Sequence, residues 1–170
     1  MFRNALFSLA IIGLATPAFA DSTSDFRAAF DAARDKQYEV AADNYTKVID
    51  AGDLSRKMQV RAFNNRGLAL YKLGRVDEAI VDYGRAIELD ASYHIALNNR
   101  GLAWREKNEL ALALKDFEAA IIADNSYIRA MNNRGSLLHD MGRARDAVAQ
   151  FSQVIRLEPD NATAYKNRGK

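Results

Sequence analysis

Cysteine is absent from the 170 residues, which excludes a disulfide framework, a cysteine-ligated metal and a lipid-bearing cysteine behind a leader. Histidine occurs only at His94 and His139, neither beside another histidine, so their spacing builds no metal site. Glycine-rich phosphate loops and the Gly-x-Ser-x-Gly turn of hydrolases are missing too. Neither sign of charge prevails: 24 Lys and Arg stand against 22 Asp and Glu, and a net charge of +2 gives no field that draws in nucleic acid or an anionic bilayer. With two prolines, nine glycines and 49% hydrophobic residues, the composition is that of a folded chain. Its acidic residues are spread along solvent-facing stretches. We therefore expect no catalytic residue, no bound metal, no cofactor and no nucleic-acid partner.

The first twenty residues differ from the rest. Arg3 precedes an apolar stretch over residues 5–15, then Thr16-Pro17, then Ala18 and Ala20 around Phe19. This is the pattern of a secretory signal, residues 1–20, cut after Ala20. Its apolar part is too short to span a bilayer and nothing later is long enough to do so, so an exported, periplasmic or secreted chain without an integral membrane span is expected.

Asn-Asn-Arg-Gly begins at Asn64, Asn98 and Asn132, and Asn167-Arg168-Gly169 keeps the same 34-residue step. Residues 60–93 laid on residues 94–127 agree at 14 of 34 positions, far above chance, so the chain is a duplicated array. In one unit Phe63, Gly67 and Leu70 share a helical face, and Ala79, Tyr83, Ala86 and Ile87 share another. Gly74 between them suits a left-handed helix end, and Asp77-Glu78 suits the positive start of a second helix. Each unit is thus expected to be a helical hairpin. Gly67, Gly101 and Gly135 recur where helices must come close, and Tyr83, Phe117 and Phe151 recur where a hole between them needs filling.

This pattern resembles the tetratricopeptide repeat (TPR) family, whose 34-residue unit carries Gly at its eighth position, Ala at its twentieth and an aromatic at its twenty-fourth. Gly67, Ala79 and Tyr83 stand there in the first clear unit. Pro159 supplies the family's closing proline only in the third unit, and Asn108 replaces the mid-unit Gly in the second. The resemblance implies an all-α fold, a right-handed superhelical solenoid of antiparallel helix pairs. It divides the chain into a degenerate first repeat at 22–55, repeats at 60–93, 94–127 and 128–161, and a partial repeat or capping helix at 162–170. Four residues separate the degenerate unit from Val60. A looser likeness to exported TPR proteins of bacterial envelopes implies an interaction adaptor there.

In such an array the first helix of each pair lines the concave side. On a helical wheel the residues of that side are Arg61, Asn64, Asn65, Leu68 and Lys72, then Ile95, Asn98, Asn99, Leu102 and Glu106, then Arg129, Asn132, Asn133, Ser136 and Asp140. The recurring Asn65, Asn99, Asn133 and Asn167 could grip an extended main chain through their amides, which both donate and accept. They could instead bond a neighbouring turn and stiffen the stack. With Arg61, Lys72, Arg105 and Arg129 nearby, we expect the groove to hold a protein or peptide segment with a slight preference for acidic ones. The family's clamp for a C-terminal carboxylate is matched only by Asn99 and Arg129, since Asn64, Leu68 and Asn133 occupy its remaining places.

Arg66, Arg100 and Arg134 lie on the flank of the first helices, sixteen residues before Asp82, Asp116 and Gln150. Two structural ion pairs and one pairing with a neutral partner are expected, leaving the third repeat the loosest. At the C-terminus, Tyr165 is expected to pack back on the third unit. Were that stub to cover too little, Val148, Phe151 and Ile155 would be left for end-to-end self-association, the alternative to groove binding.

Overall fold

The computed structural model describes residues 22–169; the leader pattern at residues 1–20 lies outside them. Among the described residues are nine helices and no strand: α1 (Ser22–Arg34), α2 (Tyr38–Ala51), α3 (Arg56–Lys72), α4 (Val76–Leu89), α5 (His94–Glu106), α6 (Leu110–Ala123), α7 (Ile128–Asp140), α8 (Ala144–Leu157) and α9 (Ala162–Arg168). Each helix packs on its sequence neighbours, so the chain builds a row of antiparallel pairs. First helices also touch across repeats, α1 with α3, α3 with α5 and α5 with α7, with no equal contact between second helices. The row therefore curves with its first helices inside.

Every pair turns at a residue in the left-handed region: Lys36 (φ 61°), Gly74 (φ 75°), Asn108 (φ 62°) and Gly142 (φ 73°). Asn108 thus takes the glycine's conformation, which an amide side chain tolerates better than most. The last three turns are 34 residues apart, but 74 − 36 is 38. The four extra residues before Val60 are not a linker: they form an added turn at the start of α3, which has 17 residues where α5 and α7 have 13.

Close approach within a pair depends on the paired glycine and ring. A Cβ on Gly67, Gly101 or Gly135 would lie 2.9, 2.6 or 2.8 Å from a ring carbon of Tyr83, Phe117 or Phe151. All three rings are buried, each contributing about 1.5–3 kcal/mol by leaving water. The opposite wall is Ala79, Ala113 and Ala147, also buried. In the first pair Tyr45 takes the ring's role, edge-on to Phe26 at 5.4 Å between centroids. The C-terminal expectation needs correction. Phe151 is fully covered and Ile155 partly so, and α9 achieves this with Ala164, whereas Tyr165 faces water under the Arg168 guanidinium. Val148 does remain exposed.

Candidate functional site

The repeated asparagines form one hydrogen-bonded chain that crosses the repeats. Asn133 Nδ2 donates to Asn98 Oδ1 at 2.8 Å, and Asn98 Nδ2 lies 3.5 Å from Asn99 Oδ1. Asn99 Nδ2 donates to Asn64 Oδ1 at 3.1 Å, Asn64 Nδ2 to Asn65 Oδ1 at 3.0 Å, and Asn65 Nδ2 to the Tyr45 hydroxyl at 3.1 Å. Burial raises the Tyr45 pKa even though the bond from Asn65 works against it, so the phenol stays protonated and the chain has a fixed end. Asn64 and Asn98 are therefore not groove-lining: both are about 3% exposed and sit between the first helices. A wheel drawn for one helix places them on its open side, but the next first helix covers that side.

Asn65, Asn99 and Asn133 stay half-exposed beside them. Each amide offers two donors and two acceptor positions, so the chain leaves at least one of each on these three residues. Asn132 stands where Asn64 and Asn98 stand two repeats and one repeat earlier, and its Oδ1 is buried without a partner. The arithmetic of 99 − 64 and 133 − 98 gives 35, so its donor would be Asn167, and α9 ends one residue later at Arg168.

Of the groove cations, Arg105 is spoken for by Asp140 of the next first helix. Glu106 is engaged by the Tyr71 hydroxyl, whose pKa is pushed up to about 12, first by burial and then by that bond. Arg61 stacks over Phe26, 5.7 Å from its centroid. Arg129 lies by the Tyr127 hydroxyl. Lys72 is exposed and has no ion pair among the described residues, so it is the cation most available to a ligand.

Beside Lys72 the groove deepens into a slot of about 310 Å³ between α1 and α3. Its walls are Phe30 and Leu68, 48% and 40% exposed, with Tyr38 and Tyr45 behind and Asn65 at one side. Arg34 is also on the rim, paired with Asp31 at 2.9 Å. Phe30 escaped the repeat alignment because the first pair is degenerate and matches the later units only through Tyr38, Ala41, Tyr45 and Val48. The signal was present, since Phe30 falls just off the face shared by Phe26 and Ala29.

On the flank, Arg66 grips Asp82 with two bonds of 2.7 Å, and Arg100 grips Asp116 at 2.7 and 2.8 Å. Asp82 holds the Arg66 pKa above its ordinary value. Arg134 does face Gln150 at 2.7 Å, but it also pairs with Glu118 of the preceding second helix at 2.9 Å. The third repeat is thus not left without an ion pair here. Among the described residues no cluster of three metal-ligating side chains occurs, and no helix is long and apolar enough to cross a membrane.

A tetratricopeptide repeat family model matches residues 60–93, and a second model of that repeat matches residues 82–128 and 132–170. The Protein SGT1 homolog of Oryza sativa subsp. japonica is 39% identical over 83 residues, 49% of this chain but only 21% of that protein's length. The second TPR domain of human RPAP3, solved in complex with the HSP70 peptide SGPTIEEVD, is 30% identical with a TM-score of 0.64, covering 68% of this chain and 96% of that one. YrrB, a TPR protein with an unusual peptide-binding site, has a TM-score of 0.74 over 88% of this chain and 75% of its own, and at 23% identity it speaks for the fold alone. With repeat-model matches over most of its length and a solenoid of paired helices, the chain belongs to the tetratricopeptide repeat family.

Proposed function

We propose that this protein is a non-catalytic adaptor, exported to the bacterial envelope, that holds an extended segment of another protein in the groove lined by α1, α3, α5 and α7. The observation that carries the reading is the slot beside Lys72. Two large apolar side chains, Phe30 and Leu68, stay in water on the inner face where repeat packing gives them nothing to cover. An apolar side chain of a bound segment would fill the slot, and Asn65, Asn99 and Asn133 would meet its main chain with the donors and acceptors left over. The peptide-bound state of the RPAP3 domain supports this use of the fold. A carboxylate-clamp mode is not proposed, because only Asn99 and Arg129 of that set are present.

Truncating the asparagines is a poor test, since they also join the repeats. Leu68→Glu is better: the residue is exposed, so the fold should survive while the slot gains a charge. A labelled segment recovered by selection from a peptide library should lose at least tenfold in affinity for this variant at an unchanged melting temperature. Equal affinity would reject the groove reading. Export is tested separately, by fractionating cells and reading the mature N-terminus, which should begin at Asp21.

A second reading, self-association through the C-terminal end, has its own observation: Val148, Leu157 and Tyr165 are exposed there. Light scattering across concentration, with and without residues 162–170, distinguishes the two. A monomer at every concentration supports the adaptor, and oligomers that vanish on truncation support self-assembly.

A further inference from the structure

The added turn of α3 creates a surface that α5 and α7, which lack this turn, do not have. Residues 56–59 carry α3 one turn beyond the start of its counterparts, and this turn leans over the corner between α4 and α5, where Arg56 Nε donates to the Leu89 carbonyl at 2.8 Å. Between them opens a cleft of about 600 Å³, floored by Val60, Leu89 and Tyr93 and edged by Arg56, Lys57 and Arg61.

The charge of this corner is the reverse of what the repeat supplies elsewhere. Stepping 34 residues from Arg56 gives Asp90, Asp124 and Glu158, all acidic. Asp90 and Asp124 are held by the following turn: each carboxylate accepts from Ser92 or Ser126, through the backbone N–H at 3.0 or 2.9 Å and the hydroxyl at 2.7 Å. Both pKa values are lowered, chiefly by those serine hydroxyl bonds, so Asp90 stays ionised at the cleft edge. The cleft's charged groups are then three cations and one carboxylate, 3 − 1 = +2. The ion pairs of the described residues engage Arg34, Arg66, Arg75, Arg85, Arg100, Arg105, Lys107, Arg134 and Arg143, and leave Arg56, Lys57 and Arg61 out. Three cations without an ion-pair partner, of which Arg61 also stacks over Phe26, stand around an apolar floor and call for an occupant with carboxylates on either side of an apolar side chain.

We propose that this cleft is a second docking site, distinct from the inner groove, for an acidic segment of a partner protein that inserts one apolar side chain over Val60, Leu89 and Tyr93. It extends the adaptor reading to a different surface. Carboxylates of the segment pair with the terminal guanidinium nitrogens of Arg56 and with Lys57, while the Arg56 Nε stays on the Leu89 carbonyl. Arg61, at the junction with the groove, takes a third.

The test is fluorescence anisotropy of a labelled nonapeptide of glutamates with one central leucine, at low and at physiological salt. The expected result is saturable binding that weakens with salt. Binding should fall at least tenfold in Arg56→Glu/Lys57→Glu, survive in Arg56→Lys/Lys57→Arg, and be unchanged in Leu68→Glu. Unchanged binding in the charge-reversed variant would overturn the proposal. So would equal binding of a leucine-free polyglutamate, or association with phosphatidylglycerol vesicles but not with the peptide. A loss confined to Leu68→Glu would place the acidic segment in the groove, supporting the adaptor reading and rejecting the second site. Both substituted residues are exposed, and a melting curve checks that each variant is folded.

Discussion

Asn99 donates its side-chain amide to Asn64 Oδ1 across a repeat boundary, and Asn64 is almost wholly buried. The repeated dipeptide is therefore a device for joining repeats before it is anything else. Truncating Asn64 to Ala strands a donor on Asn99 and an acceptor on Asn65, which costs about 1–3 kcal/mol. Asn99→Ala should cost at least as much, because the groups it strands, Asn64 Oδ1 and Asn98 Nδ2, belong to side chains only about 3% exposed, where water cannot take over. A double-mutant cycle by urea denaturation should show a coupling of about 0.5–1.5 kcal/mol. Purely additive effects would show the amides to be independent.

Two glycines one helix apart should respond to alanine with opposite signs. At Gly101 the new Cβ would lie 2.6 Å from Phe117 Cε1, and the ring is fully enclosed, so overpacking of about 1–3 kcal/mol outweighs the gain in helix propensity. At Gly84 the nearest atom is 3.8 Å away on the Arg100 side chain, so Gly84→Ala should stabilise by about 0.5–1 kcal/mol. Denaturation midpoints of the two variants check both signs.

The arginine flank gives a graded series. Asp82→Ala and Asp116→Ala each leave a part-buried guanidinium without its two charged bonds, for a loss of about 1.5–3 kcal/mol. Gln150→Ala should cost less, because Arg134 keeps Glu118. A loss at Gln150 equal to the other two would contradict this ranking.

Most of the fold was legible in the sequence, for a physical reason. Each unit is a copy that buries the same glycine-against-ring contact, so periodicity alone reveals Gly67 with Tyr83 and Gly101 with Phe117. The partners sixteen residues apart follow from the same repetition, which is why Arg66–Asp82 and Arg100–Asp116 could be expected. What one unit cannot reveal is what the next unit covers. Asn64 and Asn98 look open on a single wheel and become interior only when the next first helix arrives. Glu118 was missed as a partner of Arg134 because it belongs to the preceding repeat. The slot at Phe30 and the added turn at Arg56 lie where the repetition is broken, so only the structure exposes them.

Alkaline pH should unfold the array cooperatively. Tyr45, Tyr71, Tyr83, Tyr93 and Tyr127 all have pKa values raised foremost by burial, Tyr71 to about 12. A raised folded pKa means the unfolded chain releases its phenolic protons first. The stability these groups confer is complete below the unfolded value near ~10 and is lost as pH rises through the folded values. Tyrosinate absorbance and loss of helical circular dichroism should therefore rise together above pH ~10. Ionisation of all five phenols with full helicity retained would contradict the burial account.

The central claim is that the partner lies against the inner face. A photo-crosslinking residue placed at Leu68, in the slot, is compared with one at Val81, which is 62% exposed on α4. Both proteins are irradiated in cells and the adducts resolved by mass. The account predicts discrete adducts from Leu68 that weaken when Lys72→Glu is added, and none from Val81. Adducts from Val81 with none from Leu68 would contradict it.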